Sequence, residues 1–187
     1  MLRITIMKFF ILSKTSYFAN QTVNDMQQLK TTDLCDQFPD KVHIAQPLGL
    51  RHFGGKKIFS GKIVTLKCFE DNSFVRRLLE TDGSGSILVL DGGGSKRCAL
   101  LGDLLADLAI KNNWKGVIVY GCIRDSAAIS QMDLGVLALD TMPMKSNKRN
   151  EGQENIPVMF AGITFTPGHF IYVDEDGIIV SETELSI

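Results

Sequence analysis

The sequence predicts an α/β domain built in layers, with one helical face on a sheet and further strands stacked beyond it. Three observations carry that expectation. Two short apolar runs, Ile87–Leu90 ending in Asp91 and a glycine triplet, and Gly116–Tyr120 ending in Gly121, read as buried strands closed by turn residues. Between them Leu100, Leu104, Leu105, Leu108 and Ala109 recur at helical spacing, with Gly102 and Asp103 near the start of the run and Lys111 near its end. That is an amphipathic helix of about three turns whose charges suit its dipole. Beyond Pro157 the chain holds only short β-type runs, which a purely doubly wound sheet would not produce.

Taken in order, Met1–Phe18 is apolar but interrupted by Arg3, Lys8 and Lys14, too short for a membrane span and without a good small-residue cleavage site. Residues 1–28 are therefore expected to be an extension, disordered or upstream of a true start for which Met26 is a candidate, and 29–187 a single domain. Asp25–Phe38 reads as a short helix whose second half Thr31 or Thr32 can cap. His43–Leu48 is extended, Gly49, Gly54 and Gly55 form a loop, and the β-branched content of Phe59–Phe69 makes it a long strand. Asn72 or Ser73 is expected to cap a helix carrying Phe74, Val75, Leu78 and Leu79, closed by Asp82–Gly85 before the central strand.

After Gly121 the chain predicts a short helix over Asp125–Met132 and a strand over Gly135–Asp140. Pro143–Asn155 reads as a polar loop whose Lys145, Lys148 and Arg149 are a wet surface, with no aromatic platform for nucleic acid. Strands follow at Pro157–Phe160, Ile163–Phe165, Phe170–Asp174 and Gly177–Ser181, the last two joined by a tight turn at Asp176-Gly177.

Bulk properties narrow the function classes. With 187 residues, 44% apolar and a net charge of −1, the chain can bury a real core but offers no field to attract nucleic acid. Cys35, Cys68, Cys98 and Cys122 lack paired spacing and sit in or beside apolar runs, so they read as buried free thiols of a reducing, cytoplasmic compartment. His43, His52 and His169 are too scattered for a ligand cluster. Gly92–Arg97 follows a strand but has neither the P-loop order nor a dinucleotide fingerprint.

Candidate chemistry gathers in Ser86–Ser130. Unpaired N–H groups near Gly102, Asp103, Leu104 and Leu105 can hold a small carboxylate or phosphate at a helix start. Arg124 offers a planar fork to an anion, and Asp125 an oxygen ligand to a hard cation. An equally simple reading makes Arg124-Asp125 a structural ion pair, and the residues alone leave both open.

The succession Gly92–Ser95, Gly102–Ala106, Trp114, Val119–Gly121, Arg124-Asp125, Met132–Gly135 and Phe160–Gly162 resembles the regulator of ribonuclease activity A family, whose relatives include metal-dependent 4-hydroxy-4-methyl-2-oxoglutarate aldolases. Leu34–Asp36, Thr65–Asn72 and Gly177–Ile179 are further landmarks, so the resemblance runs over 29–187. It implies a three-layer β/β/α sandwich of the swivelling-domain type, a ring-shaped homotrimer and, in the aldolases, a site at a subunit boundary. Carried onto this chain, it implies that Gly102, Asp103, Leu104 and Leu105 with Arg124 hold the pyruvate-like part of a substrate, that Arg124 serves catalysis and that Asp125 is the direct protein ligand of Mg²⁺ or Mn²⁺. The aldolases cleave 4-hydroxy-4-methyl-2-oxoglutarate to two pyruvates and decarboxylate oxaloacetate; both reactions leave a pyruvate enolate, whose charge a cation and Arg124 would stabilise.

One departure bears on function. The family's aldolases tend to carry an acid three positions after the motif Asp, where this chain has Ala128. Loss of such a supporting carboxylate commonly costs about 10- to 100-fold in metal affinity or activity. On that ground the sequence favours the regulator branch, whose members are similar in length and bind and inhibit an endoribonuclease. The alternative is a divalent-metal-dependent lyase acting on small 2-keto dicarboxylic acids or pyruvate. Neither reading requires direct nucleic-acid binding or a membrane.

Overall fold

The computed structural model describes residues 30–186, so the extension expected over 1–28 lies outside the described residues. In chain order the elements are α1 (Thr31–Gln37), β1 (Val42–Ile44), β2 (Arg51–His52), β3 (Phe59–Lys67), α2 (Ser73–Leu79) and β4 (Ser86–Asp91). Then come β5 (Ala99–Leu101), α3 (Asp103–Lys111), β6 (Gly116–Ile123), α4 (Ser126–Ile129) and β7 (Gly135–Thr141). The last part holds β8 (Gln153–Glu154), β9 (Val158–Phe160), β10 (Ile163–Phe165), β11 (Phe170–Val173) and β12 (Ile178–Ser181).

A mixed sheet in the order β1-β12-β11-β3-β4-β6-β7-β2 forms the middle of the molecule, with β5 added to β6 and β8 to β3. Its centre, β3-β4-β6-β7, is parallel, and each parallel step is bridged by one of the helices α2, α3 and α4. Parallel strands are covered on both faces, which is why β4 and β6 read as unbroken apolar runs. The strand alternation sorts their side chains. Leu88, Leu90, Val117 and Val119 pack with Val75, Leu79, Leu105, Ala106, Ala109 and Ile129 of the helices. Ile87, Val89 and Ile118 point the other way, into a second core closed by Val158, Phe160 and Phe165 of the separate β9-β10 hairpin. Tyr120 of β6 stacks on Phe160 across that second core, with ring centroids 4.9 Å apart. Helices, mixed sheet and hairpin are the three layers of the swivelling-type α/β fold.

Several local expectations gave way to tertiary contacts. Leu100, placed by its spacing in the helix, lies in β5, because Leu101 O accepts from Arg124 N (2.9 Å) and Ala99 N donates to Met144 O (2.8 Å). Pairing with β6 satisfies two strand edges there, and the helix starts only after Gly102. Neither Thr31 nor Thr32 caps α1 through its side chain; Asp174 does so from the far end of the chain, accepting from Thr31 N (2.7 Å) and Thr31 Oγ1 (2.8 Å). Likewise the start of α2 is held by Asp71, whose Oδ1 accepts from Ser73 N at 2.8 Å, and not by Asn72 or Ser73. The β11-β12 turn forms as expected, but no residue of Asp174–Gly177 adopts a left-handed φ; the turn is held by Asp174 Oδ1, which accepts from Asp176 N and Gly177 N.

All four cysteines are free; Cys68, Cys98 and Cys122 are buried, while Cys35 is only half-buried because α1 lies at the surface. Burial, reinforced by the nearby negative charges of Asp71 and Asp91, pushes the Cys68 thiol up to about 12, so it is inert as a nucleophile. Among the described residues no helix is long and apolar enough to cross a membrane.

Candidate functional site

The carboxyl ends of β5 and β6 lie side by side, so the residues that leave them, Gly102 and Arg124-Asp125, meet. Gly102 is extended (φ −137°, ψ −179°), a conformation open to any residue, and its need for glycine is one of space. A Cβ there would stand 2.8 Å from Asp125 Oδ2 and 3.2 Å from Arg124 Nε. Asp125 has φ 55° and ψ 35°, a left-handed backbone uncommon outside glycine and asparagine. That kink ends the strand and starts α4, whose Ala128 N and Ile129 N donate to Asp125 O at 3.0 and 3.1 Å. The carboxylate is thereby turned back over the start of α3.

Its Oδ2 sits 3.2 Å from Arg124 Nε and 3.4 Å from Asp103 N. Among the described residues nothing engages Asp125 Oδ1, and neither Nη of Arg124 makes a hydrogen bond. Both side chains are a little over one-third exposed. The ion pair and the ligand site are therefore not exclusive readings: one edge of each group binds the other, and the remaining edges face outward. The amides expected at the helix start are brought to the same place but are engaged by the chain itself. Leu104 N donates to Asp103 Oδ1 at 2.7 Å and Leu105 N to Gly102 O at 3.1 Å.

Gly102, Asp103, Leu104, Leu105 and Arg124 line one side of a cleft of about 220 Å³, with Asp125 next to Arg124 but outside the lining. The opposite wall, which the sequence did not reveal, comprises Asn72 and Arg76 of the α2 end together with Lys145, Ser146 and Lys148. The cleft thus gathers four cationic side chains, Arg76, Arg124, Lys145 and Lys148, around a single carboxylate, Asp103. A chain of near-zero net charge has in this way a local field suited to a small polyanion.

The basic loop is consequently more than wet surface. At one end it is tied to β5 through Ala99 N and Met144 O. At the other, the buried Asp71 accepts from Arg149 N (2.7 Å) and Glu151 N (3.1 Å), and Arg149 Nη2 donates to Phe69 O (2.7 Å). Burial alone would raise the Asp71 pKa, but hydrogen bonds from Ser73, Glu151 and Arg149 outweigh it and hold the carboxyl down to about 2. Asp71 therefore acts as a fixed anionic post joining α2 to this loop. The only sequence signal for it was Asp71 at the foot of a helix, a common capping pattern.

Ala128 is exposed on α4, which carries no acid, and among the described residues no group of three or more His, Cys, Asp or Glu side chains could enclose a metal.

A model of the RraA-like family, described as Aldolase/RraA, matches residues 31–180. A protein of Aromatoleum aromaticum described as a putative 4-hydroxy-4-methyl-2-oxoglutarate aldolase is 58% identical over 84% of this chain and 99% of its own length. Relatives from Azotobacter and Pseudomonas at 51–54% identity share that description. Among solved structures, one described as S-adenosylmethionine:2-dimethylmenaquinone methyltransferase from Geobacillus kaustophilus superposes with a TM-score of 0.82 at 47% identity, covering 84% of this chain and 97% of that one. The RNA-processing inhibitor RraA of Thermus thermophilus superposes with a TM-score of 0.81 at 41% identity, covering 84% and 94%.

Proposed function

Because the chain belongs to the RraA-like, Aldolase/RraA family, we propose that it is a divalent-metal-dependent lyase that cleaves small 2-keto dicarboxylic acids to pyruvate, with 4-hydroxy-4-methyl-2-oxoglutarate and oxaloacetate as substrates. The observation that carries this reading is the packing of Gly102 against the Arg124-Asp125 pair at the end of a cationic cleft. The names of the relatives above 50% identity favour it over the regulator reading, which the sequence placed first on the strength of Ala128.

The residues present fit a hard cation of the Mg²⁺ or Mn²⁺ kind. Asp125 offers an unengaged carboxylate oxygen at a half-exposed position, and such ions are commonly held by one or two carboxylates, with water and substrate completing the shell. Among the described residues no group of three or more His, Cys, Asp or Glu side chains offers an enclosed site. Held by Asp125, such a cation would supply positive charge to stabilise the enolate that both reactions form. Arg124 pairs with the adjacent carboxylate through its free Nη edge, and Leu104 N, released from Asp103, donates to the same group. In the aldol cleavage the C4 hydroxyl gives its proton to a base or solvent, the C3–C4 bond breaks with its electron pair staying on the three-carbon keto acid as an enolate, C4 becomes the carbonyl of the second pyruvate, and a proton added at C3 completes the first. In decarboxylation the same bond breaks with loss of CO₂. Fixed charges aimed at the enolate, where negative charge develops, lower both barriers.

A second reading, inhibition of an endoribonuclease by binding, keeps one specific support: the 41% identity to the Thermus RNA-processing inhibitor. The proposal extends to a cytoplasmic homotrimer. Support for self-association comes from the exposed Leu104, in the cleft, and Met144, beside it. A coupled pyruvate assay with each substrate and Mn²⁺, with and without chelator, tests the chemistry, and light scattering of the same sample tests the assembly. A chelator-sensitive rate well above the metal-only background is expected, from a particle of three chains. A rate equal to that background would leave the inhibitor reading in place, and a monomer would remove the trimer.

A further inference from the structure

Ser146 lies in the wall of the cleft, 5% exposed, and its Oγ is buried with no hydrogen-bond partner among the described residues. A buried hydroxyl without a partner is costly and uncommon, and in a cleft wall it points to a ligand that supplies the missing acceptor. Its neighbours give the acceptor's charge: Lys145 and Lys148 flank it in sequence, and Arg76 and Asn72 line the same side. The backbone that carries Ser146 is anchored at both ends, by Met144 O on Ala99 N and by Arg149 N on Asp71, so the hydroxyl is held in position before any ligand arrives.

Resting on the lyase reading above, we propose that Ser146, Lys145, Lys148 and Arg76 form the subsite for the far carboxylate of a five-carbon 2-keto dicarboxylate, and that this subsite selects such acids over pyruvate-sized monocarboxylates. Arg124 and the start of α3 take the keto-acid end; the Ser146 wall takes the other. The far carboxylate of 4-hydroxy-4-methyl-2-oxoglutarate keeps its charge throughout cleavage, so its cationic partners hold the substrate without opposing the reaction. Oxaloacetate instead loses its second carboxylate as neutral CO₂, and firm cationic binding of that group gives decarboxylation no advantage. The subsite thus discriminates by binding and favours aldol substrates over decarboxylation substrates.

The probe is 2-oxoglutarate, which has the same five-carbon backbone but no hydroxyl to permit cleavage. Calorimetry in Mn²⁺ compares 2-oxoglutarate, pyruvate and oxalate on the full chain and on its Ser146→Ala and Lys148→Met variants. The parent should bind 2-oxoglutarate more tightly than pyruvate. Each variant should lose roughly tenfold or more toward 2-oxoglutarate, the scale of a hydrogen bond to a charged group, while keeping its affinity for oxalate, which has no carboxylate beyond the two-carbon unit that the Arg124 end takes. Ser146→Ala should also melt no lower than the parent, since its hydroxyl has no partner to lose. Equal losses toward oxalate and 2-oxoglutarate would make the loop a structural support, and no preference for 2-oxoglutarate in the parent would remove the subsite. Absence of pyruvate formation in the coupled assay would overturn the lyase reading instead, and the binding preference would still decide the subsite.

Discussion

Replacing Gly102 by alanine tests whether the Arg124-Asp125 geometry is functional or only structural. The backbone at Gly102 accepts alanine without strain, and the lost glycine entropy of the unfolded chain favours the variant by about 0.4–1 kcal/mol. Against this stands the new methyl group, 2.8 Å from Asp125 Oδ2 and 3.2 Å from Arg124 Nε, where ordinary contact begins near 3.4 Å. Asp125 cannot retreat as a whole, because its carbonyl accepts from Ala128 N and Ile129 N. Its carboxylate must therefore swing away from Asp103 N and Arg124. The crowding costs about 1–3 kcal/mol, so the net loss of stability lies between about 0 and 2.6 kcal/mol. The loss of function is larger, since a displacement approaching 1 Å at a reacting centre can cost about 100-fold. Calorimetry with Mn²⁺ and oxalate, the coupled pyruvate assay and a thermal melt on one preparation read the three quantities. The expected variant is folded, melts within several degrees of the parent and is weakened at least tenfold in Mn²⁺ affinity and turnover. Parent-like Mn²⁺ and oxalate binding by Gly102→Ala would refute the argument, because it would mean that the displaced groups serve neither ligand.

Three further outcomes follow from the same structure. Asp125→Asn keeps a side chain that tolerates the left-handed backbone and can still accept from Asp103 N, so it should fold normally yet lose measurable Mn²⁺ binding; Arg124→Lys should bind Mn²⁺ but hold oxalate at least tenfold more weakly, for want of the planar fork. Asp71, held at about 2 against an ordinary 3.8, is more acidic in the folded chain, so its stabilisation is complete above about pH 4 and is lost as pH falls toward 2. The linked stability is about 2 kcal/mol, and chemical denaturation between pH 5 and 2.5 should show this increment in the parent and not in Asp71→Asn.

Elements whose signals are local were legible from neighbouring residues alone. Ile87–Leu90 and Gly116–Tyr120 are strands because unbroken apolar runs between turn residues suit a sheet covered on both faces, and Asp103–Lys111 is a helix because its leucines share one side. The neighbours Gly102, Arg124 and Asp125 were legible too, since strand, helix and strand in that order bring the two strand ends together. Other features depended on partners distant in the chain, which no local pattern encodes. Leu100 follows the helical rhythm and yet joins β5, because the bonds from Arg124 N to Leu101 O and from Ala99 N to Met144 O outweigh periodicity. Asp174 caps α1 across 143 residues, and Asp71 secures Arg149 across 78. That second bond turned a polar loop into the far wall of a cleft. Lys145, Ser146 and Lys148 look in sequence like any solvated stretch; their meaning comes from facing Arg124, and the Ala99–Met144 bond at one end and the buried Asp71 carboxylate, paired with backbone amides it meets on folding, at the other hold them there.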